Sequence, residues 1–404
     1  MADPATSPPL SRASVQAARA LIAPYVHHTP TLTNRTLSLL ASTARTREEM
    51  LERGGGQWTK VDNPASPKLR LWFKCENLQR VGAFKARGAF HALGRLLGEE
   101  GFERGRGWLR ILVVSNHAQA LSLAAATHNV PAYIVMPEIS TPSKVAATKG
   151  YGAKVIFSGS TSVEREAAAA KVIEETGARL VPPYDHPDIV LGQGTLGLEL
   201  QEDAAQMMAE QDQEGGRCSF AAPVTKTGDA AAGSKKRKVG LDAILAPCGG
   251  GGMLSGVALS CEGTGIRVFG CEPWYQGADD AKRGYESGRR VESVSTLTVA
   301  DGLRTPLGRV PWHVLYERKL AGGFYSVSER EICDALRLVL ERFKMVVEPS
   351  AAVPLAVALY NEDFRGMVER EAGPEGWDVG IVFSGGNVSL EALGKLFADA
   401  EEGK

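Results

Sequence analysis

Four consecutive glycines, Gly249, Gly250, Gly251 and Gly252, run into Met253-Leu254-Ser255-Gly256 directly after an apolar stretch at 243–246. Without Cβ atoms, successive backbone N–H groups in such a loop can turn toward one point. The helix that follows adds the positive end of its dipole. The combination is a cradle for a phosphate group. No Gly-Lys-Ser/Thr follows, so it is not a nucleoside-triphosphate loop. Ser255 stands where a dinucleotide-binding Gly-x-Gly-x-x-Gly would have its last glycine. A flexible turn is the alternative reading, but four glycines in a row are costly in chain entropy. Ser255 either adds a hydroxyl to the phosphate site or caps the helix.

Lys85, in Gly82-Ala83-Phe84-Lys85-Ala86-Arg87-Gly88, is predicted at the start of a helix. A lysine there opposes the helix dipole, which costs stability and helps to depress the amine pKa. A depressed pKa suits an amine that forms a Schiff base. Alone, Lys85 reads as a surface lysine. Beside a phosphate cradle, it points to pyridoxal phosphate (PLP) bound through its aldehyde.

These groups need elements to hold them. Short β-branched runs at 71–75, 111–114, 133–136, 154–157, 243–246, 268–271 and 380–383 alternate with helical patterns at 118–127, 162–175 and 196–210. Alternation of this kind gives βαβ crossovers and an α/β fold with a mostly parallel sheet covered on both faces. Ser328-Glu329-Arg330-Glu331 is a capping box announcing a later helix. Two polar stretches, 43–68 and 211–240, interrupt the rhythm and read as mobile surface insertions. The second carries Lys235-Lys236-Arg237-Lys238, which reads as a solvated loop, with a nuclear-import signal as the alternative.

Composition narrows the classes. The 404 residues hold 46 Lys+Arg and 47 Asp+Glu, a formal net charge of -1, so neither nucleic acid nor an anionic membrane is an expected partner. No apolar run approaches the ~20 residues of a membrane span. The first residues lack the apolar core of a secretory signal. Six cysteines (Cys75, Cys218, Cys248, Cys261, Cys271 and Cys333) form no C-x-x-C pair and read as reduced, buried thiols in a cytoplasmic protein. His91, His128, His186 and His313 lack partners at ligand or triad spacing, and His27-His28 reads as structural.

The Lys85 segment, Asn116-His117-Ala118-Gln119, Gly192-Gln193-Gly194-Thr195, the glycine loop, Ala300-Asp301-Gly302-Leu303-Arg304, Val347-Glu348-Pro349-Ser350-Ala351 and Phe383-Ser384-Gly385-Gly386-Asn387 follow one another in that order. In this the chain resembles the fold-type II PLP enzymes, in particular the serine racemase, serine/threonine dehydratase and threo-3-hydroxyaspartate dehydratase branch. Pro24-Tyr25-Val26-His27-His28-Thr29-Pro30 matches near the start. The resemblance implies the tryptophan synthase β-like fold, with two open, twisted, mostly parallel α/β domains. The large one would comprise 1–106 and 186–404, and a small one, 107–185, would close over the substrate. It also implies a homodimer. Because the chain ends soon after the Ser384 motif, no C-terminal regulatory domain is expected.

Roles follow from the same resemblance. Lys85 would carry PLP and then act as base toward the substrate Cα. Phe84 would pack beside the ring, and Asn116 would bond its 3′-oxygen. Gly249, Gly250, Gly251, Gly252 and the Met253 N–H would hold the phosphate. Ser384 would meet the ring nitrogen. A hydroxyl there does not keep that nitrogen protonated, so the ring is a weaker electron sink and prompt loss of a β-hydroxyl is favoured. Ser115 and His117 would take the substrate carboxylate. Glu272, the Ala278 carbonyl and Asp280 would bind Mg²⁺ or Ca²⁺ through hard oxygen ligands. The loop between them is two residues longer than the family spacing, and the alternative is a solvated acidic helix start. The implied reaction is α,β-elimination from L-serine, L-threonine or threo-3-hydroxyaspartate, giving a 2-oxo acid and ammonia.

The chain also departs from the family before Asn-His, and Ala83 replaces a common serine two before the lysine. Where the family reads Ser-Ser-Gly before Asn-His, this sequence has Val113-Val114-Ser115. The family's second serine is the acid/base on the face opposite the lysine, and a valine cannot donate a proton. Altered substrate choice, a PLP-binding relative without catalysis, and a misplaced exon boundary all account for the difference. A serine racemase is the alternative activity.

Overall fold

The computed structural model describes residues 4–54, 63–99, 109–112, 116–138, 142–159, 162–213 and 239–401. Among them, strands follow in chain order as β1 (Thr31–Thr33), β2 (Leu69–Cys75), β3 (Leu109–Leu112), β4 (Ala132–Pro137), β5 (Lys154–Ser158), β6 (Arg179–Leu180), β7 (Ala243–Pro247), β8 (Arg267–Pro273), β9 (Gly323–Val327) and β10 (Trp377–Phe383). One sheet has the order β1-β2-β10-β7-β8-β9 and the other β5-β4-β3-β6. The β1–β2 pair is antiparallel, and the other pairings are parallel. The seven expected strands are present within a few residues. β1, β6 and β9 were not expected. The first two are too short to leave a periodic signal, and β9 mixes Tyr325 and Ser326 into its run.

The central strands β7 and β10 are buried along their whole length, as strands of a doubly covered parallel sheet should be, and the one charge in β10, Asp378, is paired with Arg70. Alternate side chains enter opposite cores. Leu71, Phe73, Leu245, Ile381 and Phe383 pack with the wholly buried helix Pro349–Tyr360. Trp72, Ile244, Ala246 and Val382 pack on the other face with Leu196, Leu200, Leu254 and Val257. A third core joins the helix Lys85–Leu97, through Ala86, Ala89, Phe90 and Leu93, to Ala118, Leu121, Ile134 and Met136 beside the four-stranded sheet. The Lys85 helix therefore lies between the two sheets.

The long helix Pro187–Gln213 touches two neighbours backbone to backbone. A Cβ on Gly192 would lie 2.8 Å from the Arg87 carbonyl oxygen, and one on Gly194 would lie 2.5 Å from that of Gly256. Both are closer than real contacts allow, so these two glycines let the Lys85 helix and the glycine-loop helix seat on a common support.

That support is fastened by buried charge. Arg87 Nε donates to Glu76 Oε2 at 2.8 Å, and its Nη1 and Nη2 each reach Glu199 at 2.7 Å. Lys74 Nζ meets Glu199 at 2.8 Å and the Thr29 carbonyl at 2.6 Å. Thr29 in turn donates to Glu76. Arg87, Glu76 and Lys74 are inaccessible to solvent.

Several sequence readings are sharpened. Within 43–68 a short helix, Arg47–Arg53, forms behind a Thr46 capping box, and the Ala65 N–H donates to Glu362 at 2.7 Å. Part of that stretch is thus packed on the core rather than lying free. The Ser328 capping box forms as expected. Residues 214–238, including the basic run and Cys218, lie outside the described residues. The other five cysteines are free and buried. His91 and His186 are buried beside Asp188, His128 packs edge-on to Tyr25, and exposed His313 pairs with Glu317. No helix among the described residues is long and apolar enough to cross a membrane.

Breaking the buried cluster should be costly. Arg87→Met leaves two carboxylates without their main partner, so unfolding stability should fall by about 3–5 kcal/mol. The exposed Arg19–Glu202 pair is the control, and Arg19→Ala should cost less than about 1 kcal/mol. Urea denaturation of the two variants measures both.

Candidate active site

Three loops meet because three strands are neighbours. β2, β10 and β7 lie side by side and parallel, with Cys75 opposite Phe383 and Ile381 opposite Leu245. Their carboxyl ends lead to the Lys85 segment, to Ser384-Gly385-Gly386-Asn387 and to the glycine loop. Ligands in open α/β sheets collect at this edge. The first two loops are bonded together. Phe84 N donates to the Ser384 carbonyl at 3.0 Å, Ala83 bridges Gly385, Gly386 N donates to the Gly82 carbonyl at 2.9 Å, and Asn387 Nδ2 donates to the Val81 carbonyl at 2.8 Å. Val81 holds φ 57°, ψ 16°, a left-handed conformation that costs a β-branched residue on the order of 1–3 kcal/mol.

Lys85 opens its helix, as the sequence indicated. Its Nζ donates to the Pro183 carbonyl at 3.0 Å and lies 5.1 Å from the centre of the Phe84 ring. The side chain is deeply enclosed, yet part of its surface stays accessible, as for a group lining a cleft. Burial lowers its pKa to about 8, while the carboxylate of Glu348 works in the opposite direction. Glu348 is a site residue that carried no role in the sequence reading. It is buried at the start of the helix Pro349–Tyr360, and its Oε1 packs against Gly385, 2.8 Å from where a Cβ would stand. The Glu-Pro pair, with proline in the first helical turn, was the signal available for it.

The glycine loop turns into the helix Gly252–Cys261 through Gly251, whose φ of +81° demands glycine. Ser255 N closes the first intrahelical bond, to the Gly251 carbonyl, so the N–H groups of Gly252, Met253 and Leu254 precede it at the helix start. Ser255 Oγ is fully buried without a hydrogen-bond partner. Open N–H groups at a helix N-terminus beside an unsatisfied buried hydroxyl fit a phosphate. Tyr184 rests on this loop, since a Cβ on Gly250 would fall 2.4 Å from its ring. The segment carrying Pro183 and Tyr184 therefore touches both Lys85 and the glycines. Tyr184 was not anticipated, and a lone tyrosine in a proline-rich turn gives no sequence signal.

Asn116 starts the helix Asn116–Thr127 after β3, and Ser115 with Val113 and Val114 lies outside the described residues. His117 is fully buried, and neither ring nitrogen has a hydrogen-bond partner of full geometry among the described residues. The Pro182 backbone lies beside the ring and works toward the protonated form. Burial first, and then the positive charge of Lys85, holds its pKa well below the usual value. His117 is a neutral imidazole facing the lysine region, with hydrogen-bonding capacity to spare. Ser384 is buried beside Lys85's loop.

Glu272 and Asp280 are brought together at the end of β8, and the reading of a solvated helix start is corrected. Both are buried, and Glu272 accepts from Ala281 N at 3.0 Å and Lys282 N at 2.8 Å, capping the helix Asp280–Ser287 from within the core. Burial raises both pKa values, that of Asp280 to about 6, and the charge of Asp280 adds to the rise at Glu272. Asp280 Oδ2 accepts from Leu307 N, whereas buried Oδ1 has no partner. Ala278 is buried between them in sequence. An orphaned oxygen on one of two close carboxylates fits a hard cation. Among the described residues, no group of three or more His, Cys, Asp or Glu side chains gathers in metal-binding geometry.

The family described as "Pyridoxal-phosphate dependent enzyme" matches residues 59–385. The chain is a member of that family, and its architecture is the fold-type II one. It is 35% identical over 382 residues to the L-threo-3-hydroxyaspartate ammonia-lyase of Saccharomyces cerevisiae, covering 94% of each chain. It is 36% identical over 392 residues to the serine racemase of Arabidopsis thaliana, covering 96% of each. The solved structure of serine racemase from Dictyostelium discoideum superposes with a TM-score of 0.70 at 33% identity, over 94% of this chain and 99% of that one.

The lysine pKa has a measurable consequence. Only the neutral amine attacks an aldehyde. At pH 7 a pKa of about 8 leaves about one amine in ten neutral, against about one in three thousand for an ordinary lysine. Capture of PLP by protein freed of cofactor should therefore rise tenfold per unit below pH 8 and level off above it. Borohydride trapping followed by peptide mapping of Lys85 across pH 6–10 measures the midpoint, and a midpoint above 10 contradicts the burial argument.

Proposed function

We propose that the chain is a PLP-dependent ammonia-lyase that converts a β-hydroxy amino acid, L-serine, L-threonine or threo-3-hydroxyaspartate, to a 2-oxo acid and ammonia. The observation that carries this reading is the meeting of Lys85, the Ser384 loop and the glycine loop on one sheet edge, with Lys85 deeply enclosed and its pKa lowered. The names of the relatives support the substrate class. When bound, PLP supplies the electron sink that makes the Cα proton removable.

The residues divide the work. Lys85 holds the cofactor aldehyde and moves the Cα proton. Phe84 packs against the ring, Asn116 bonds its 3′-oxygen, and the Ser384 hydroxyl faces its nitrogen. Gly249, Gly250, Gly251, Gly252 and the Met253 N–H bind the phosphate. His117, neutral and unpartnered, donates to the substrate carboxylate together with Ser115. The unit containing β3–β6 excludes water by closing over the substrate. Glu272, the Ala278 carbonyl and Asp280 hold Mg²⁺ or Ca²⁺, which relieves the repulsion between the two carboxylates. A cytoplasmic homodimer completes the reading.

Serine racemisation is the second activity, favoured by relatives named as racemases. It needs a proton donor opposite Lys85, and Val114 supplies none. A PLP-binding relative without catalysis is the remaining alternative.

Incubation with the three amino acids should release 2-oxo acid and ammonia, and Lys85→Ala should lower that rate by at least about 10²–10⁴-fold. In deuterated water, D-serine should form far more slowly than pyruvate. Comparable rates would favour the racemase, and no turnover with bound cofactor would favour the inactive relative. Mg²⁺ or Ca²⁺ should raise the melting midpoint and a chelator should reverse it, with about 2.7 kcal/mol gained at ~100 times the dissociation constant.

A further inference from the structure

We propose that Asn387 is a positioning residue for Lys85, acting through the left-handed turn at Val81 and Gly82. The proposal rests on the reading of Lys85 as the cofactor-bearing amine. It adds a residue that reaches that amine through the turn.

Two adjacent residues take positive φ four and three positions before the lysine, Val81 at 57° and Gly82 at 67°. Glycine adopts such angles freely, but valine does not. The surroundings must therefore hold Val81 there. Its carbonyl accepts the Asn387 Nδ2 hydrogen at 2.8 Å. The same amide closes on Gly82, where a Cβ would stand 2.7 Å from Asn387 Oδ1. One side chain thus grips both residues of the turn. Gly386 N holds the Gly82 carbonyl, and Phe84 N, next to the lysine, donates to the Ser384 carbonyl. The turn is fastened across the motif containing Ser384, so the amine and the hydroxyl are set relative to each other by a single strap. If Val81 relaxes to negative φ, the chain direction into Gly82, Ala83 and Phe84 changes and the Lys85 amine leaves its seat.

This separates a role acting through Val81 from general support. Losing the amide should matter only while residue 81 resists the left-handed conformation. The test uses full-length protein stripped of cofactor, and follows the rate of covalent PLP capture, the circular dichroism of bound cofactor and the melting midpoint. Asn387→Ala should slow capture about 10–100-fold and weaken the dichroism per bound cofactor, as a misplacement on the ångström scale would. Adding Val81→Gly should restore capture to within about threefold of the parent, because glycine accepts the turn without help. If Asn387→Ala does not fold, Asn387→Ser, which keeps a shorter donor, is read in its place with the same second substitution. Unchanged capture in the single variant overturns the proposal, and so does a slow single variant that Val81→Gly fails to rescue. Borohydride trapping separates failure of the underlying reading. Label on another lysine in the parent protein removes the Lys85 assignment itself, whereas label on Lys85 at equal rates in every variant removes only the role of Asn387.

Discussion

The site depends on one pairing constraint, the parallel alignment of β2 and β7 on either side of β10. Lys85 and Ser384 are about 300 residues apart, yet their loops leave neighbouring strands at the same edge. A slip of one residue in β10 would send Ile381 and Phe383 to the opposite core and move the Ser384 loop away from Phe84. Burial of β10 on both faces forbids that slip, because every side chain from Trp377 to Phe383 already has an apolar or paired setting. The hydrophobic register of a strand far from the lysine therefore fixes which groups the lysine meets.

The Lys85 helix shows two opposite treatments of buried charge two residues apart. Arg87 has carboxylates on both sides and serves as a rivet between β2, the helix and Pro187–Gln213. Among the described residues, Lys85 receives only a neutral carbonyl in hydrogen-bond reach. Glu348 influences it from the next loop without quenching the effect of burial. His117 and Ser255 go further, with buried polar atoms that have no hydrogen-bond partner among the described residues. The Arg87 cluster behind the helix is saturated, whereas His117 and Ser255 keep buried polar atoms free for a ligand.

Much of this was legible in the sequence. Short β-branched runs alternating with helical patterns indicated seven strands, the glycine loop announced itself by residue type, and Lys85 drew notice only beside that loop. What was hidden has physical causes. Strands of two or three residues, β6 and β1, carry no period. Glu348 looks like any helix-capping acid until Gly385 is placed beside it. Glu272 and Asp280 read equally as solvated because burial is a tertiary property, and only the strand end of β8 puts them inside. Val81 gives no sign of its left-handed backbone, since valine is the kind of residue that argues for an extended one.

The origin of the lysine's altered acidity also changes on inspection. A helix N-terminus disfavours a cation by a few tenths to about 1 kcal/mol, which is under one pKa unit. The shift from 10.5 to about 8 is larger, and burial is its main cause. The amine is therefore controlled by water rather than by backbone dipoles. Phe84 and the Pro183 segment lie against it, and the Pro183 segment in turn rests through Tyr184 on the glycine loop, so its surroundings draw on separate stretches of chain. A loop change that admits water would return the amine toward its ordinary charge even with every contact atom in place. Conversely, anything that seals the sheet edge further would keep it neutral. Coupling an enclosed amine to a strained turn and a shared support means that the acidity of Lys85 is built into packing, so it cannot be transplanted as a short motif.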